Sequence, residues 1–120
     1  EGIVLKPNMV ISGLMCSEQS DINKVAKLTV KCFMEYVPEA VPGIAFLSGG
    51  QSSDVATEHL NAMNSNYTNL PWNLTFSYGR ALQYDALKAW SGKNRLDGQT
   101  ALLERAENNS LATKGKYQNS

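Results

Sequence analysis

Pro42-Gly43-Ile44-Ala45-Phe46-Leu47-Ser48-Gly49-Gly50-Gln51-Ser52 reads as a short apolar strand, Ile44 to Leu47, that runs straight into a glycine turn and a helix cap. An apolar run of that length without polar alternation is what a strand of a parallel sheet covered on both faces requires. Ser52 or Ser53 is the expected cap of a helix with Ala56, Leu60 and Met63 on its inward side, breaking up in the polar stretch Asn64 to Asn69. The same order of strand, loop and helix occurs on either side. Upstream, Ile3 to Val10 is a second buried strand between Gly2 and the Ser12-Gly13 turn. Ser20 is the expected N-cap ahead of Asp21, after which Ile22, Val25, Ala26, Thr29, Phe33, Tyr36 and Val37 recur at helical spacing until Pro38. Downstream, Pro71-Trp72 opens a strand over Asn73 to Ser77, and Tyr78-Gly79-Arg80 joins it to a helix carrying Ala81, Leu82, Ala86, Leu87, Ala89 and Trp90. A last helix is expected from about Asn94 to Thr113, with Leu96, Leu103, Ala106 and Leu111 apolar and Gly98 a weak point, before a polar tail over residues 114–120.

Three successive βα units demand parallel strands and right-handed crossovers, so the fold class is α/β. Three strands cannot close a barrel, which takes eight strands and roughly 250 residues. The alternatives are a small open sheet or an arc cut from a barrel, and the arc fits better because a free-standing three-stranded sheet leaves two hydrophobic edges in water. The chain starts at Glu1-Gly2 with no initiator methionine, which suggests a piece of something longer.

With eleven basic and eleven acidic side chains in 120 residues, no net charge steers the chain toward a polyanion, so nucleic acid is not an expected partner. No apolar run approaches the roughly 20 residues of a membrane span, and no secretion signal precedes the first strand. These features point to a soluble cytosolic protein with no membrane partner; a plastid transit peptide would precede Glu1. Cys16 and Cys32 lack both a paired spacing and histidine companions, so they read as two reduced thiols. His59 is the only histidine, which removes most histidine-based metal sites. The Asn-x-Ser/Thr sequons at Asn66, Asn73 and Asn108 read as chance matches.

In parallel α/β folds ligands bind at the carboxyl ends of the strands, and the unusual residues fall there. Lys6 stands in an apolar run, Ile3-Val4-Leu5 before it and Met9-Val10-Ile11 after. An amine withdrawn from water loses basicity and becomes a carbonyl nucleophile able to form a Schiff base. The alternative is a lysine at a strand end whose stem lies on apolar surface while its head reaches solvent. Ser48-Gly49-Gly50 lets the backbone approach an anion at a helix N-terminus, and Ser77-Tyr78-Gly79-Arg80 ends in a guanidinium able to grip a phosphate by two hydrogen bonds. Each turn alone has an ordinary reading, a simple turn for the first and a solvated arginine for the second. Together, beside Lys6, they make a phosphate site next to an amine. Glu104, Arg105 and Glu107 read as a solvated helical face, and Trp72 and Trp90 as core or core-edge aromatics.

Glu1-Gly2-Ile3-Val4-Leu5-Lys6-Pro7-Asn8-Met9-Val10, Val41 to Ser52, and Leu74-Thr75-Phe76-Ser77-Tyr78-Gly79-Arg80-Ala81-Leu82-Gln83 resemble, in that order, the later strands of class I fructose-1,6-bisphosphate aldolase. Leu87-Lys88-Ala89-Trp90, Asn109-Ser110-Leu111-Ala112 and Gly115-Lys116-Tyr117 resemble its closing helices. The resemblance spans nearly the whole chain and implies that residues 1–120 are the carboxyl-terminal portion of a single barrel domain, a partial TIM (β/α)8 barrel made of the last three βα units. It implies that Lys6 is the catalytic imine lysine, that Ser48, Gly49, Gly79 and Arg80 hold a substrate phosphate, and that Ser77 and Gly50 are secondary candidates. It further implies fructose 1,6-bisphosphate and triose phosphates as partners, no cofactor or metal because the protonated imine is the electron sink, and a homotetrameric parent. The family's acid and base carboxylates and its terminal tyrosine tail fall outside this sequence, so the isolated polypeptide is expected to have little or no activity. A non-catalytic phosphate-binding or interaction module on the same fold is the alternative.

Overall fold

Ile44, Phe46 and Leu74 anchor the structure, each almost or wholly out of water, on one face of a three-stranded parallel sheet. The computed structural model describes residues 1–119. Its elements are β1 (Val4–Leu5), α1 (Ile22–Tyr36), β2 (Gly43–Phe46), α2 (Ser53–Asn66), β3 (Asn73–Phe76), α3 (Arg80–Trp90) and α4 (Arg95–Ala112). The sheet order is β1-β2-β3, with Leu5 opposite Ile44, Ile44 opposite Leu74 and Phe46 opposite Phe76. The expected α/β class, the parallel pairing and every helix are present.

The strand expected over Ile3 to Val10 is paired only at Val4 and Leu5, because Pro7 has no N–H to give to a ladder and Met9 N–H turns back to Asn8 Oδ1 at 2.9 Å. Asp21, not Ser20, caps α1: its carboxylate accepts from Lys24 N–H at 2.9 Å, while Ser20 bonds Ser12 across the preceding loop. Ser52 caps α2. Phe33 of α1 stacks on Phe46 at 5.6 Å and meets Trp72 edge-on at 6.4 Å, and Trp72 Nε1 donates to Pro38 C=O at 3.0 Å. Trp72 is therefore core, as expected. Trp90 is 47% exposed, a rim residue of the α3–α4 contact.

Burial on both faces is not what the structure has. Side chains alternate across a strand, so Ile44, Phe46 and Leu74 meet the helices while Val4, Gly43, Ala45 and Thr75 share the other face. That second face is open, with Val4 63% exposed and the other three half-buried.

α4 departs most from expectation. Its leucines, Leu96, Leu103 and Leu111, face outward, and the buried stripe is Gly98, Arg105, Asn109 and Ala112. Gly98 lies against α3, where an added Cβ would stand 2.7 Å from Trp90 Cβ, so the missing side chain lets the two helices approach. The segment expected as a polar tail is docked: Tyr117 N–H donates to Asn61 Oδ1 at 2.9 Å and Asn119 Nδ2 to Glu58 Oε1 at 2.6 Å. Ser120 lies outside the described residues.

Candidate functional site

The parallel sheet brings three loops to one rim. Leu47 N–H donates to Pro7 C=O at 3.0 Å, joining the segment after β1 to that after β2, and Ser77 N–H donates to Phe46 C=O at 2.8 Å, joining β2 to β3. Between the second and third loops lies a cavity of about 210 Å³, lined by Ser48, Gly50, Gln51, Ser52, Ser53, Arg80, Ala81 and Tyr84. The two expected anion-binding turns thus share a pocket, with Ser48 buried and Arg80 exposed. Gly49 and Gly79 stand in the same turns but do not line the cavity, and neither does Ser77.

Local geometry explains the turn. Gly49 has φ +56° and Gly50 φ +83°, and Gln51 N–H closes the turn on Ser48 C=O at 3.0 Å. A Cβ on Gly49 would lie 2.4 Å from Asn8 Oδ1, so this residue needs both the left-handed backbone and the absence of a side chain. α2 begins at once after the turn, and α3 begins at Arg80 behind Gly79, which offers no side-chain cap. First-turn N–H groups and the positive ends of two helix dipoles therefore point toward the pocket, the arrangement that suits an anion.

Lys6 follows β1 directly and belongs to the same carboxyl rim. Alternation carried one residue past β1 puts it on the open face with Val4 and Ala45. Its burial, expected from the apolar residues around it, is not found: Lys6 is exposed, since β1 is an edge strand and this face of the sheet has no layer over it.

The polar support beneath the pocket escaped the sequence reading. Arg105, expected on a solvated face, is 5% exposed. Its Nη1 donates to Asp54 Oδ1 at 2.7 Å and its Nη2 to Ser53 C=O at 2.7 Å and to Thr57 Oγ1, and Asp85 Oδ2 lies 3.9 Å from Nε. Thr57 Oγ1 in turn donates to Asn109 Oδ1 at 2.7 Å. Tyr78 is buried, and its hydroxyl donates to Ala56 C=O at 2.9 Å; burial pushes this phenol well above its ordinary pKa, opposed by the nearby Arg105 charge. His59 Nδ1 meets Gln51 Oε1 at 2.5 Å, and Gln51 Nε2 faces Met9 Sδ at 3.7 Å, so Gln51 Oε1 is the acceptor and Nδ1 carries the proton. Burial lowers the His59 pKa to about 4. The one sequence signal for Arg105 is its helical spacing, four from Asn109 and seven from Gly98 and Ala112, a stripe of small and polar residues.

The family model for class-I fructose-bisphosphate aldolase, a glycolytic family, matches residues 1–120. The chain belongs to the class-I fructose-bisphosphate aldolase family. Among curated aldolases it is 53% identical over 119 residues to fructose-bisphosphate aldolase B of Gallus gallus, covering 98% of this chain and 33% of that one. It is 52% identical over 122 residues to the cytoplasmic isozyme of Spinacia oleracea, with the same two coverages. A solved aldolase from Plasmodium falciparum, crystallised with TRAP and a small-molecule inhibitor, superposes with a TM-score of 0.92 at 49% identity, covering 98% of this chain and 34% of that one. The chain thus spans about a third of the length of the aldolases it matches.

Proposed function

We propose that this chain carries the imine-forming lysine and one substrate-phosphate site of a fructose-bisphosphate aldolase, and that its sheet is an arc of a (β/α)8 barrel, the last three βα units of a single domain. Lys6 is the nucleophile. Ser48, Gly49, Gly79 and Arg80 hold a phosphate through backbone N–H groups and the guanidinium, with Ser77 and Gly50 beside them. The observation that carries this reading is the common rim: Lys6 and the two turns around the 210 Å³ pocket all stand at the carboxyl ends of adjacent parallel strands. The open face of the sheet, where Val4, Gly43, Ala45 and Thr75 stand with no layer over them, suits a barrel interior and supports the arc.

In this reading the ε-amino group of Lys6, in its neutral form, adds to the C2 ketone of fructose 1,6-bisphosphate, and loss of water gives an iminium. The iminium accepts the electron pair released when the C4 hydroxyl loses its proton and the C3–C4 bond breaks, so glyceraldehyde 3-phosphate leaves first. Protonation of the enamine at C3 and hydrolysis of the imine release dihydroxyacetone phosphate and restore Lys6. Among the described residues the pocket lining includes no carboxylate and no imidazole, so the chain by itself is expected to form the imine with little turnover. A cytosolic location and a homotetrameric parent belong to the same proposal, the first supported by the name of the spinach relative.

Borohydride reduction in the presence of dihydroxyacetone phosphate tests the proposal. A reduced adduct on Lys6, found by peptide mass spectrometry, supports imine chemistry. Phosphate binding without any adduct overturns it in favour of a non-catalytic phosphate-binding module.

A further inference from the structure

We propose that Tyr78 and Arg105 are positioning residues that clamp the first turn of α2 from two sides and thereby fix the two anion turns relative to each other. The inference rests on the phosphate site proposed above. Tyr78 lies inside the β3–α3 turn, between Ser77 and Gly79, yet its hydroxyl reaches across to the β2–α2 unit and donates to Ala56 C=O at 2.9 Å. Ala56 N–H is bonded to Ser52 C=O at 3.0 Å, and Ser52 lines the pocket. One phenol therefore ties the turn that bears Arg80 to the turn that bears Ser48. From α4, Arg105 Nη2 grips Ser53 C=O at 2.7 Å and Thr57 Oγ1, and its Nη1 holds Asp54.

Two helix-opening carbonyls, Ser53 and Ala56, thus each receive a donor from outside the helix, although both already belong to the α2 ladder. Tyr78 and Arg105 are buried, so neither contacts a ligand in the pocket; they act by setting where the first-turn N–H groups point. A phosphate held by both turns at once depends on their separation. A ligand held at Lys6 alone does not.

The test is the ratio of borohydride trapping rates on Lys6 with dihydroxyacetone phosphate and with dihydroxyacetone, both below saturation, for the chain and its Tyr78→Phe variant. Tyr78→Phe removes only the hydroxyl and keeps the ring against Phe76, 5.5 Å away. The ratio is expected to fall at least fivefold, whereas a merely structural tyrosine would lower both rates together and leave the ratio within twofold, overturning the proposal. Arg105→Lys, which keeps the charge but not the fork, is expected to lower the ratio in the same direction and serves if Tyr78→Phe does not fold. A second readout is amide NMR with inorganic phosphate: Gly50 and Gly79 are expected to titrate with one common dissociation constant in the unaltered chain and with two different ones in Tyr78→Phe. Common titration in both overturns the clamp. If the unaltered chain gives no adduct with either ketone, the function reading fails and the clamp, as a device of that site, falls with it.

Discussion

Gly49→Ala is the substitution whose consequence the geometry defines most closely. At φ +56° an alanine sits in the left-handed region at a penalty of about 1–2 kcal/mol. Its Cβ would also come within 2.4 Å of Asn8 Oδ1, 2.7 Å of Nδ2 and 2.8 Å of Cγ, so the whole Asn8 amide must swing away. That motion breaks the 2.9 Å bond from Met9 N–H to Asn8 Oδ1, worth about 0.5–1.5 kcal/mol net. The expected loss is about 2–3 kcal/mol in urea unfolding of the chain. In an Asn8→Ala background the obstacle is gone and only the backbone penalty remains, so the double-mutant cycle is expected to show a coupling of about 1 kcal/mol. A Gly49→Ala variant within about 0.5 kcal/mol of the parent, or a coupling near zero, would refute this account of the turn.

Gly98→Ala is expected to destabilise despite alanine's better helix propensity, because Cβ would stand 2.7 Å from Trp90 Cβ and 3.3 Å from Ala86 C=O; overpacking of about 1–3 kcal/mol outweighs a propensity gain of about 1, and thermal unfolding reads the net loss. His59 contributes a pH dependence of definite sign. Its folded pKa is about 4 against 6.5 when exposed, so between those values the unfolded chain binds the extra proton; stability is intact above pH 6.5 and falls as the pH drops toward 4, by at most about 3 kcal/mol. Urea unfolding of His59→Gln across that window is expected to show a shallower slope, and an equal slope in both proteins would remove His59 as its source.

The β2–α2 segment was legible because each level agreed: an apolar strand, a glycine turn and a serine cap occur in sequence, and Ser52 is the observed cap. The rim was legible for the same reason, since parallel topology alone brings Ser48, Gly49, Gly79, Arg80 and Lys6 to one edge. Hydrophobic spacing picked out the buried faces of α1 and α2, with Val25, Phe33, Ala56, Leu60 and Met63 all out of water, and failed at β1 and in α4. Around Lys6 the apolar run promised burial, but an edge strand with one open face leaves Lys6, Ile3 and Val4 in water. In α4 the leucines promised a core face, yet α4 packs on α2 through Arg105 and Asn109, where hydrogen bonds replace apolar contact, and on α3 through Gly98. Polar burial of this kind depends on partners 48 to 52 residues away in sequence, so no local pattern announces it.

The central claim is that a single sugar phosphate reaches both Lys6 and the pocket between the two turns. Its most direct measurement is the dependence of Lys6 trapping on the phosphate group, comparing dihydroxyacetone phosphate with dihydroxyacetone in the parent chain and in Arg80→Ala. The expected result is a strong preference for the phosphorylated ketone in the parent that largely disappears in Arg80→Ala. Equal trapping of both ketones by the parent, or a preference that survives the loss of Arg80, would contradict it.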